Sequence, residues 1–171
     1  MKDDFVAGLF IAGGIGVLIT YVFLYITGTL GKLAKMFTTN MWRLWIVSMI
    51  LTTASVLAIF FYFSTEERVE KDIRGLFLTA LSIFLISAMV WSLTVEYIER
   101  YKKDPSIQRW PLMFTAMASL LILVSVASTT KSWVLILAAT IVFLHHTFID
   151  GIIWPKLHET YQIAPKSVAR R

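Results

Sequence analysis

Two adjacent histidines, His145 and His146, stand inside the apolar stretch FLHHTFIDGIIWP, and Asp150 follows the second by four residues. Residues four apart share one face of an α-helix, so His146 and Asp150 point the same way and Trp154 continues the row. His145 falls about 100° round the helix, towards the side of Ile149. An imidazole and a carboxylate on one face can do three kinds of chemistry. They can hold a metal ion together. The carboxylate can fix the tautomer and orientation of the imidazole. The pair can also pass a proton, because histidine titrates near neutral pH. Gly151 leaves room beside them for another helix or a ligand.

Other polar residues fall at the same depth. Counted from Trp133, the two histidines lie about 18–20 Å along their helix and Asp150 about 26 Å. Trp91, Ser92, Thr94 and Glu96 close a preceding apolar stretch at that level, and Arg43 opens another. The sequence thus offers Trp91, Ser92, His145, His146, Asp150 and Trp154 as ligand-binding candidates, and His146, Asp150 and Glu96 as acid/base candidates. A single metal ion would draw on His145, His146, Asp150 and Glu96, because a catalytic metal normally takes three or more protein ligands and His158 lies beyond Pro155. The competing reading is structural: near an interface such groups snorkel or pin helices together.

The elements that position these residues are membrane spans. The chain has 171 residues, 57% hydrophobic and 16% charged, with a mean hydropathy of +0.72. A soluble domain carries about 45–50% apolar and about 25% charged residues. A transmembrane helix needs roughly 20 mostly apolar residues, and five stretches qualify: 5–28, 41–63, 73–97, 110–128 and 133–154. None shows the regular charged face of a soluble helix or the alternation of a strand. The expected fold is therefore all-α, a single polytopic transmembrane bundle of five helices over 1–171, with 155–171 as a polar tail. The first stretch reads as a retained span, since its flank lacks a basic n-region and its apolar run is too long for a signal peptide.

Lysines and arginines set the expected orientation. One face receives Lys2, Arg68, Lys71, Arg74 and Lys131, while the other receives eleven, among them Lys32, Lys35, Arg43, Arg100, Lys102, Lys103 and Arg109. The richer face should be cytoplasmic, with the N-terminus outside and the C-terminus inside. Trp42, Trp45, Trp110, Trp133 and Trp154 fall near span ends, where amphipathic rings favour the headgroup level.

Between the spans, Gly28 and Gly31 can end the first helix, and Leu30, Leu33, Met36 and Phe37 with Lys32 and Lys35 suggest a short amphipathic turn. Ser64 and Glu67 have capping-box spacing, which starts the third helix near Thr65. Pro105 marks a break and Pro111 a first helical turn. Gly8, Ala12 and Gly16 form a small-residue stripe, a contact surface inside the bundle or towards a membrane-protein partner or second copy.

The residues 145–154, HHTFIDGIIW, resemble the histidine–aspartate–glycine–tryptophan stretch of membrane carotene-cleaving oxygenases of the bacteriorhodopsin-associated type. That family is larger and holds iron through four histidines on several helices. This chain has three histidines, none in its first four spans, so the four-histidine set has no counterpart here.

Composition closes off other classes. There are no cysteines, hence no disulfide or thiolate chemistry. The net charge is +5, but the basic residues are spread between apolar runs, which excludes a nucleic-acid partner. No P-loop, GxGxxG, HExxH or GxSxG motif occurs. The bilayer is the expected partner. The favoured reading is a non-enzymatic accessory or lipid-binding component of a membrane complex. The alternatives are a membrane-embedded enzyme acting on a lipid or isoprenoid through the His/Asp/Glu cluster, and a small proton-coupled carrier.

Overall fold

A computed structural model describes residues 4–163 and shows an all-α, multi-pass membrane bundle with no strand among the described residues. Helix α1 spans Asp4–Ile26, α2 Thr29–Ala34, α3 Thr39–Thr65 and α4 Lys71–Tyr101. A 3-10 turn at Pro105–Gln108 leads into α5, Arg109–Thr129. Helix α6, Trp133–Leu144, continues through a π-helical segment, His145–Ile153, into α7, Trp154–Ile163. Five helical stretches are long and apolar enough to cross a bilayer. The fifth does not stop at 154: Trp133–Thr160 is one continuous span. The polar tail expected from 155 therefore begins as helix, with Pro155 and His158 buried. The rest of that tail, 164–171, lies outside the described residues, as does Lys2.

Local chemistry accounts for the boundaries. Gly28 adopts the left-handed conformation (φ 74°) that glycine enters without strain, and turns the chain from α1 into α2. Gly31 lies inside α2 rather than ending a helix. Leu33 is buried while Lys32 and Lys35 are exposed, the amphipathic turn read from the sequence. Ser64 does not open a helix as its spacing suggested. Helix α3 runs through Thr65, and Arg74 donates to the carbonyls of Phe63 (3.0 Å) and Glu66 (2.7 Å) that the end of α3 leaves unpaired. The cation from α4 thus does the closing that a capping box would have done in reverse.

Asp104 caps the 3-10 turn by accepting from the Ser106 N–H at 2.8 Å. That backbone bond, and then the Ser106 side chain, hold its carboxyl below the ordinary carboxylate range. A lowered folded value contributes stability above the unfolded value and loses it as pH falls through the folded one. The protection factor of the Ser106 amide is therefore expected to drop below about pH 4, read by hydrogen exchange.

The helices form a ring. Helix α4 packs on α5 and α1, α5 on α6 and the π segment, and α6 on α3, while α1 and α3 touch only lightly. Phe63 stacks on Phe77 with centroids 3.9 Å apart, and Phe10 on Phe60 at 4.1 Å. The small residues of α1 do not act as one stripe. Gly8 and Ala12 are exposed, whereas a Cβ at Gly13 would stand 2.4 Å from Leu85 Cδ1 and one at Gly16 2.7 Å from Met89 Sδ. Leu85 is buried and also crowds that Cβ with its Cγ and Cβ. Gly13→Ala is expected to cost about 1–3 kcal/mol, the usual penalty of overpacking. Gly14→Ala has open space and is expected to cost nothing, in paired SDS-unfolding titrations.

Candidate functional site: a π-helical histidine pair beside an intramembrane cavity

The π-helical segment decides which residues meet. A π-helix closes its turns from residue i to i+5, so side chains five apart converge as well as those four apart. The segment stands directly before Pro155, whose ring would crowd the carbonyl four residues back in a regular α-helix. The wider turn removes that conflict, and the Trp154 N–H reaches the Ile149 carbonyl, five residues back. Gly151 matters to the same turn: a Cβ there would sit 3.1 Å from the His146 carbonyl oxygen. The room it provides serves its own helix, not a neighbouring one.

His145, expected to point away from Asp150, is thereby brought to it. His146 Nδ1 lies 2.8 Å from Asp150 Oδ2, and His145 Nε2 lies 3.3 Å from the same oxygen. The first has hydrogen-bond geometry; the second is close without it, and Nε2 of both histidines is buried with no hydrogen-bond partner. On its other side His145 Nδ1 meets Ser48 Oγ of α3 at 2.6 Å. The two imidazoles stand edge to face, centroids 4.8 Å apart, and Phe84 of α4 packs edge-on against His146 at 4.7 Å. His145 is 2% exposed and His146 9%, so these groups sit within the protein and not against lipid.

Beside this pair lies a cavity of about 230 Å³. Its walls come from α1 (Gly14, Tyr21), α3 (Met49, Thr52, Val56), α4 (Phe84, Ala88, Trp91) and α5 (Leu112, Thr115), with His146 and Asp150 as the polar corner. Thr53 and Leu57, exposed on the surface of α3, also line it, so the cavity extends to the face where α1 and α3 touch lightly.

The other sequence candidates separate from this site. Glu96 does not join it: its carboxylate accepts from Thr27 at 2.9 Å and from Thr29, pinning α4 to the α1–α2 turn. Ser92 bonds back to the Ala88 carbonyl within α4, and Arg43 is exposed. Trp91 lines the cavity. Trp154 stands behind it, edge-on to Trp91 at 5.5 Å and packed with Phe37 and Trp45. Trp45 and Trp154 are buried inside the bundle, whereas Trp110 and Trp133 are exposed at helix ends.

A second buried polar group was not foreseen. His158 Nε2 lies 2.9 Å from Glu99 Oε1, and its Nδ1 lies 3.0 Å from Gln108 Nε2. Pro155 was read as the end of the helix, which hid His158. Its spacing of four from Trp154 was the signal that could have found it. Ser48, Thr52 and Tyr21 carried no signal, because their role depends on helix order in the ring.

No family model, curated protein or solved structure matches the chain. The site must speak through its own geometry.

Proposed function

We propose that this membrane protein binds an apolar, lipid-class molecule in the cavity between α1, α3 and α4, with His146 and Asp150 meeting the molecule's polar end. The observation that carries this reading is the cavity itself: almost wholly apolar walls, one buried polar corner, and an extension to the lightly closed α1–α3 face. Ligand sites characteristically combine apolar walls with a few convergent polar groups. The lysine and arginine distribution favours a cytoplasmic basic end, which supports a polar corner on the inner-leaflet side.

Gly14 gives the test, since it lines the cavity and has nothing within 4 Å of its Cβ position. A phenylalanine there would fill the space. A brominated fatty acid is expected to quench the tryptophan fluorescence of the wild type saturably. Gly14→Phe is expected to bind about tenfold more weakly, a loss of about 1.4 kcal/mol, with an unchanged unfolding midpoint. Equal binding by a folded Gly14→Phe would show that the cavity is not the site.

The Asp150-oriented imidazole of His146 favours a second reading, a membrane-embedded enzyme acting on the same molecule. There His146 would be the acid/base group and Asp150 the residue that positions it. His146→Gln would then keep ligand binding and abolish turnover.

A further inference from the structure

We propose that His145, His146 and Asp150 form a binding site for one divalent transition-metal ion. The three side chains offer ligand atoms that all lie within 4.8 Å of one another. Metal–nitrogen and metal–oxygen bonds of about 2.0–2.2 Å place neighbouring ligands about 3–3.4 Å apart. The His145 Nε2–Oδ2 distance of 3.3 Å falls in that range, and the His146 Nδ1–Oδ2 distance of 2.8 Å is somewhat shorter, a hydrogen bond that an ion would open.

Several observations favour an ion over a plain ion pair. Both rings converge on one carboxylate oxygen, yet only His146 makes a hydrogen bond to it. His145 Nε2 is left without a hydrogen-bond partner in a residue that is 2% exposed. A buried polar atom in that position costs free energy unless something binds it. Ser48 holds the opposite nitrogen of His145 at 2.6 Å, the outer contact that metal-bound histidines usually make. Two imidazoles and one carboxylate suit zinc, iron, nickel or copper better than magnesium or calcium. The site shares His146 and Asp150 with the polar corner of the cavity, while His145 belongs to the ion site alone.

The test uses the tag-free full chain in mild detergent, stripped with chelator, dialysed and titrated with Co²⁺, with Zn²⁺ as competitor. The wild type is expected to bind one equivalent, to develop a visible Co²⁺ ligand-field spectrum that Zn²⁺ abolishes, and to unfold later at saturation. Asp150→Asn and His146→Ala are expected to bind at least tenfold more weakly. Glu96→Gln and Gly14→Phe are expected to bind as the wild type does, which separates this site from the cavity ligand. A folded wild type with no Co²⁺ spectrum and no stabilisation overturns the proposal, and so does unchanged binding in both ligand variants. Should those variants fail to fold, the wild-type spectrum and stabilisation decide alone.

Discussion

His158→Ala is expected to destabilise the bundle by about 3 kcal/mol, the cost of taking a neutral imidazole donor away from a buried carboxylate. His158 is fully buried and Glu99 is 4% exposed. Gln108 Nε2 donates to His158 Nδ1, so His158 Nε2 carries the proton and donates to Glu99. Removing the ring takes one buried donor from Glu99 and an acceptor from Gln108 Nε2, while Gln108 Oε1 already lacks a hydrogen-bond partner. Lys102 Nζ stays 3.5 Å from the other Glu99 oxygen, which keeps the cost from rising further. The contact joins α4, the 3-10 turn and α7, so the loss should appear as one cooperative shift in SDS unfolding. The Arg109–Glu159 pair joins the start of α5 to the same α7, with Arg109 Nη2 and Glu159 Oε1 2.6 Å apart, but the arginine side chain is 58% exposed. Arg109→Ala is expected to cost less than about 1 kcal/mol. Equal costs for the two variants would contradict this account of the buried group.

Trp154→Ala is expected to be comparably costly, again about 3 kcal/mol, since large-to-alanine changes of buried aromatics cost about 3–5 kcal/mol. Trp154 is 2% exposed and touches Phe37, Trp45 and Trp91 with centroids 5.1, 5.8 and 5.5 Å away. Its Nε1 has no partner, so the loss is one of packing and not of a hydrogen bond. Lipid is itself apolar, which removes part of the hydrophobic term and leaves mainly van der Waals contact. Trp154→Phe should therefore recover most of the stability, and exposed Trp133→Ala should lose almost none. Those three midpoints in SDS distinguish a packed aromatic core from a headgroup belt.

The spans were legible because each is a long apolar run, a property of local composition. The site was legible in part. His146 and Asp150 share a face in either an α- or a π-helix, so their pairing survived the change of helix type. His145 did not, since only the π turn brings residue i to i+5. The Pro155 and Gly151 positions carried that information, but a proline in a helical pattern also signals an end. Glu96 shared a depth with the histidines, yet depth says nothing of direction, and α4 turns that carboxylate to Thr27 and Thr29. Which helices enclose the cavity depends on ring order, and the chain's short loops allow several orders.

The most direct measurement is photo-crosslinking of the membrane-embedded protein with a diazirine-bearing fatty acid, followed by peptide mapping. The account places label on cavity-wall residues of α3 and α4, around Thr52 and Ala88, suppressed in Gly14→Phe. Label confined to outward-facing residues such as Ile11, Leu18 and Trp110, and unchanged in Gly14→Phe, would mean that lipid only surrounds the bundle and that the cavity holds nothing.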